Sequence, residues 1–160
     1  MEIERKYLVK TVPENLDQYE HEEIEQAYLC QDPTLRIRKK GNRYIFTFKS
    51  RPKDVTESNV CMAEEIESEL SFEAYMHLFE KADGVPIRKT RYRIPFGNYV
   101  IELDVFHGSR EGLILAEVEF PSVEHSERFD PPEWFGKNVS GDIRYTNSYM
   151  ATHEVKTTEG

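Results

Sequence analysis

Ionic and apolar residues alternate with a period of two along many short stretches of this chain. The ionic set is Glu2, Glu4 and Lys6; Arg36 and Arg38; Thr47 and Lys49; Glu65 and Glu67; Lys89, Arg91 and Arg93; Glu102 and Asp104; Glu117 and Glu119. Side chains two apart on a strand share one face of a sheet. The intervening positions are largely apolar, among them Ile3, Ile37, Phe46, Phe48, Ile101, Leu103, Val118 and Phe120. An ordinary solvent-facing side mixes in Ser, Thr, Gln and Asn. This one is nearly all ionic, in blocks of one sign, which suggests a charged interior built around an ionic ligand.

Strands are expected over 2–9, 22–31, 34–40, 43–50, 60–69, 86–96, 99–107 and 113–121. Gly41-Asn42 and Gly97-Asn98 suit two-residue hairpin turns. Pairing Lys40 with Arg43 sets Arg36 opposite Thr47 and Ile37 opposite Phe46. Pairing Phe96 with Tyr99 sets Arg93 opposite Glu102 and Arg91 opposite Asp104. A one-residue slip would turn both faces over, so turns and alternation agree. Helices are expected over Phe72–Ala82, capped by Ser71, over Pro13–Tyr19, and over Ile143–His153. The fold class expected is mainly β (α+β): a closed eight-stranded antiparallel barrel with ions inside, apolar residues outside and helices as cover. Residues 1–154 read as one domain and 155–160 as a disordered tail.

The chain has 160 residues, 38% hydrophobic and 32% charged, with a formal net charge of -9. That balance argues against nucleic acid as a partner. No apolar run approaches a membrane span. The start MEIERK is charged from its second residue and is no signal peptide. Cys30 and Cys61 form neither a metal motif nor a disulfide framework, so a cytoplasmic protein, monomer or homodimer, is expected.

Glu2-x-Glu4 and Glu117-x-Glu119 are carboxylate pairs suited to hard cations such as Mg²⁺ or Mn²⁺, with a solvated strand face as the alternative. Arg36, Arg38, Lys49, Lys89, Arg91 and Arg93 are phosphate-binding types. Arg91 and Arg93 have a second reading as cross-strand ion pairs with Asp104 and Glu102. Arg36 and Arg38 face Thr47 and Ile45, lack that alternative, and are the stronger ligand candidates. Trp134, beside Pro131-Pro132, reads as loop packing.

Glu2-Ile3-Glu4-Arg5-Lys6 resembles the ExExK signature of the CYTH superfamily, the triphosphate tunnel metalloenzymes. The resemblance continues in order through Gln26–Leu29, Arg36–Arg38, Thr47–Lys49, Glu65–Glu67, Arg91–Arg93, Glu102–Asp104, Glu117–Glu119, Trp134–Lys137 and Asp142–Asn147. Ala27 departs from it, standing where the bacterial branch commonly has Gly. The resemblance implies an antiparallel tunnel that binds triphosphates with Mg²⁺ or Mn²⁺. It implies phosphate binding by Lys6, Arg36, Arg38, Lys49, Lys89 and Arg91, with Arg93 on the same face. It also implies metal binding by Glu2, Glu4, Glu117 and Glu119, with Asp104, Glu65 and Glu67 near a second metal or the attacking water. Lys6 with Tyr28 would be either a general base and its orienting partner or a charged ligand beside a packing residue. Hydrolysis of inorganic triphosphate to pyrophosphate and phosphate is the activity expected. The alternatives are a class IV adenylate cyclase, an organic (thiamine or nucleoside) triphosphatase, or a polyphosphate-binding module without turnover.

Overall fold

The computed structural model describes residues 1–50 and 60–153; the expected tail at 155–160 lies outside them. The strands are β1 (Glu2–Val9), β2 (Glu20–Cys30), β3 (Thr34–Lys40), β4 (Arg43–Ser50), β5 (Cys61–Glu69), β6 (Asp83–Phe96), β7 (Tyr99–His107), β8 (Ile114–Glu119) and β9 (Phe135–Asn138). Every pairing is antiparallel, in the order β5-β4-β3-β2-β6-β7-β8-β1-β9, and a β1–β5 pairing closes the first eight into a barrel. That seam is short, running only from Glu2↔Ala63 to Glu4↔Cys61. Further down, the same edge of β1 is taken by β9 at Tyr7↔Asn138 and Val9↔Phe135.

Both hairpins have the expected register, with Lys40↔Arg43 and Arg36↔Thr47 in one, Phe96↔Tyr99 and Arg91↔Asp104 in the other. Gly41 and Gly97 take φ of 61° and 60°. Glycine with positive φ at the first central position, followed by a residue outside that region, fits a type II′ turn, whose twist matches the strands it joins.

Outside the barrel, Ile3, Tyr7, Ile101, Leu103, Val118 and Phe120 pack with Phe129 and Phe135. This cover is supplied by α2 (Val123–Arg128) with the residue after it, and by β9, neither of which shows a strong sequence period. A second face, Ala27 and Ile37, lies under Tyr75 of α1 (Phe72–Phe79). Ser71 caps α1 as expected, accepting from the Ala74 amide at 3.1 Å. Trp134 packs edge-on to Phe135, with ring centroids 4.7 Å apart. The other expected helices are shorter. Leu16–Gln18 is one 3-10 turn, and Ile143–His153 becomes a 3-10 turn at Ile143–Tyr145 followed by the single-turn α3 (Asn147–Met150). None of the described helices is long and apolar enough to cross a membrane.

One feature of the interior departs from the expectation of ions throughout. Continuing the inward face beyond its charged positions leads from Lys6 to Leu8, Lys89 to Ile87, Asp104 to Phe106 and Glu117 to Leu115. These four residues form a buried cluster with Tyr28, Val139, Tyr145, Met150 and Ala151. The barrel is therefore ionic at one end and apolar at the other, where residues 139–151 fill it. Burial of the outer face predicts that Leu103→Ala, at a fully buried site, lowers unfolding free energy in urea by about 2–5 kcal/mol. Ile66→Ala, on the outer face of β5 at 65% exposure, should stay within about 0.5 kcal/mol of the parent.

Candidate active site

The charged half of the barrel encloses a cavity of about 220 Å³, lined by Glu2, Glu4, Lys6, Tyr28, Arg36, Arg38, Lys49, Glu65, Glu67, Arg91, Glu117 and Glu119, together with Thr34, Lys40, Glu102, Thr146, Asn147 and Ser148. Twelve of the expected site residues thus converge on one space. Three others lie apart from it. Lys89 is fully buried beneath the wall, pairing with Asp104 at 2.8 Å and reaching Asn147 Oδ1 at 3.4 Å. Asp104, 1% exposed, receives both Arg91 Nε at 2.7 Å and Arg91 Nη2 at 2.9 Å. Arg93 turns from its cross-strand neighbour Glu102 to donate to Glu22 at 2.7 Å. Arg91 takes Glu102 instead, at 3.1 Å. Arg91 thus keeps the residue directly opposite it, Asp104, and adds a diagonal partner, whereas Arg93 takes a diagonal one.

The cationic wall is unevenly satisfied. Among the described residues Arg38 has no ion pair, and Arg36 has only Glu65 at 4.0 Å. The buried Nε atoms of both arginines, with the hydroxyl of Thr47 and Oε1 of Gln26, lack hydrogen-bond partners. Burial, then the neighbouring Arg36 and Arg91, brings Arg38 down to about 10. Burial also draws Lys89 down to about 7, against the attraction of Asp104. Lys6 donates to the Tyr145 carbonyl at 2.9 Å and faces Glu117 at 3.5 Å. The Tyr28 hydroxyl accepts from Gln26 at 2.8 Å.

The carboxylates divide in two groups. Burial alone would raise Glu117 and Asp104, yet both lie below the usual range. Lys6, Arg91 and Lys89 hold Glu117 down; Arg91 and Lys89 do the same for Asp104. At the mouth the balance reverses. Burial and Glu117 push Glu4 up to about 7, although Lys49 opposes them. Burial and the shared contact with Glu65 raise Glu2; burial with Glu2 and Glu102 raises Glu119. Crowded oxygen donors that resist ionising together are suited to a hard divalent ion, which takes carboxylates plus substrate oxygens. They are not preassembled: no group of three or more potential ligands stands ready among the described residues. Lys49 instead holds Glu2 at 2.5 Å and Glu4 at 3.5 Å.

The CYTH domain model matches residues 1–145. The chain belongs to the CYTH family. It is 36% identical over 156 residues to an inorganic triphosphatase of Nitrosomonas europaea, covering 94% of this chain and 96% of that one. A 70-residue match, 40% identical and covering 44% of each chain, links it to an inorganic triphosphatase of Acetivibrio thermocellus. The crystal structure of the inorganic triphosphatase NE1496 superposes with a TM-score of 0.69 at 34% identity, covering 96% of each chain. The eight-stranded closed barrel is thus the CYTH tunnel fold, here with an added ninth strand.

Strand alternation singled out Lys40 poorly and Thr146, Asn147 and Ser148 not at all. Lys40 ends its strand, and the other three sit where no period operates. The ordered match through Asp142–Asn147 covers Thr146 and Asn147 and stops short of Ser148. Because Asp104 neutralises two buried cations, Asp104→Asn should lower stability in urea by roughly 3–5 kcal/mol, the cost of stranding buried charge. Were Asp104 instead one of a crowded set of carboxylates, the same change would relieve repulsion and stabilise the protein.

Proposed function

We propose that this chain hydrolyses inorganic triphosphate to pyrophosphate and phosphate, with Mg²⁺ or Mn²⁺ at the acidic mouth. The observation that carries the proposal is the buried Arg38, unpaired among the described residues, beside Arg36, which has only Glu65 there at 4.0 Å. Two desolvated guanidiniums with open hydrogen-bonding positions suit the oxygens of a multiply charged phosphoryl chain. The relatives named inorganic triphosphatase support the same reading. The cavity, at about 220 Å³, is smaller than the roughly 300–1,000 Å³ of drug-sized ligand sites. A compact linear anion suits it better than a nucleoside triphosphate. Cytoplasmic residence belongs to the same proposal.

In this reading Lys6, Arg36, Arg38, Lys49 and Arg91 bind and orient phosphoryl oxygens. Glu2, Glu4, Glu117 and Glu119 would hold the ion, which would supply neutralisation of developing charge and activation of water. Glu65 and Glu67 accept hydrogen bonds from the attacking water. Lys6, anchored by a carbonyl and a carboxylate, serves as a cationic ligand, while Tyr28 shapes the wall. Asp104 and Lys89 act from behind, fixing Arg91. Positioning and fixed charge are the principal contributions to a loose phosphoryl-transfer transition state.

Phosphate release should be fastest on inorganic triphosphate, slower on ATP and thiamine triphosphate, and absent after chelation of divalent ions. Conversion of ATP to cyclic AMP and pyrophosphate at a higher kcat/KM would replace this reading with the cyclase. Binding of triphosphate without turnover in any metal would leave a binding module.

Metal affinity should also depend on pH in a defined direction. Glu4 must ionise to ligate, and its value is raised to about 7. Protons therefore compete with metal below that point and cease to do so above it. Mn²⁺ affinity, measured calorimetrically, should fall by up to about tenfold per pH unit below 7 and level off above it. In Glu4→Gln the affinity should be weak and the slope lost. A flat profile in the parent from about pH 5 to 8 would remove Glu4 from the ligand set.

A further inference from the structure

We propose that Thr146, Asn147 and Ser148 form a back wall that gauges substrate length, admitting a three-unit phosphoryl chain and rejecting longer linear polyphosphates. The inference rests on the triphosphatase reading and names the feature that limits its substrate class.

These residues line the cavity and follow Tyr145, which Lys6 reaches, whereas Glu2 at the start of β1 shares a more open pocket with Glu65, Glu67 and Glu119. Behind them stands the apolar cluster of Leu8, Phe106, Leu115, Tyr145 and Met150. That cluster stops the barrel at this end. The wall is fastened from several strands. The Lys6 ammonium donates to the Tyr145 carbonyl, and the Val139 amide donates to the Lys6 carbonyl at 2.8 Å. The Val85 amide donates to the Ala151 carbonyl at 2.7 Å. That approach requires Gly84, because a Cβ there would meet the Ala151 oxygen at 2.1 Å. Arg110, itself buried, donates to the Met150 and His153 carbonyls.

Two cations join the wall to the charged chamber: Lys6 through Tyr145 and Lys89 through Asn147. The far limit of the chamber is thus set by the groups that make it cationic. The near limit is set by the carboxylates at the mouth. A chain longer than the distance between them leaves anionic units among Glu65, Glu67 and Glu119, where like charges repel. A triphosphate ends against the wall and leaves none there.

The test compares kcat/KM for triphosphate, tetraphosphate and long-chain polyphosphate in the parent, Asn147→Ala and Ser148→Met. The ratio between lengths is unaffected by the fraction of enzyme folded, so it separates gauging from mere support. In the parent, kcat/KM should drop by about tenfold or more from triphosphate to tetraphosphate, the scale of one charge-assisted contact. Asn147→Ala, which deepens the chamber, should narrow that ratio several-fold. Ser148→Met, which shortens it without removing an anchor, should raise KM for triphosphate while leaving inhibition by pyrophosphate in place. Equal turnover of all lengths by the parent, or an unchanged ratio in both variants, overturns the gauge and leaves the triphosphatase reading standing. No turnover of triphosphate with either metal overturns both.

Discussion

A barrel that buries several cations in its inner wall stays folded only if carboxylates within the same wall neutralise part of that charge. Asp104 and Glu117 do so here. Asp104 accepts two hydrogen bonds from Arg91 and pairs with Lys89; Glu117 faces Lys6. Both are held ionised by those neighbours despite burial. Compensation is deliberately incomplete around Arg36 and Arg38. The residual positive charge faces the cavity, and it is tolerable because the rest of the wall is balanced. Removing one partner of such a buried pair is far more damaging than the pair's net worth suggests.

The outer face answers a different need. Once the interior is ionic, the apolar positions of each strand point outward and require cover. The chain supplies it from segments far apart in sequence, with Phe129 and Phe135 over one side and Tyr75 over another. The short β1–β5 seam shows the same economy. Where β5 leaves β1, strand β9 and the Ser140 hydroxyl take over, the latter accepting from the Lys6 amide at 2.8 Å. Closure of the barrel and filling of its lower end are therefore one structural event.

Much of this was legible in the residues. A period of two combined with blocks of like charge identifies inward positions because the pleat leaves no choice of face. The Gly-Asn turns then set both registers. What period cannot reveal is which of several partners a long side chain will choose, as Arg93 shows by preferring Glu22. Nor does it mark elements of a single turn, such as α3, whose existence depends on docking rather than on propensity. The apolar stopper was visible in principle. At four strands the inward face changes from charged to apolar at the step Lys6–Leu8, Lys89–Ile87, Asp104–Phe106 and Glu117–Leu115. Reading the change requires aligning strands against each other, not along the chain. The inward-facing acids were legible as a class; that neighbouring cations hold Glu117 and Asp104 down while burial and nearby acids raise Glu2, Glu4 and Glu119 was not.

A chamber stopped at one end by an apolar cluster also imposes an order on traffic. Whatever enters last must leave first. For a linear anion cleaved near the carboxylates, the fragment at the mouth departs before the fragment against Arg36 and Arg38 can move. The inner fragment keeps the stronger electrostatic hold and blocks the next arrival until it escapes. Turnover in such an architecture is governed as much by clearing the channel as by breaking the bond. The residues that make the chamber attractive to its ligand are the same ones that delay its emptying.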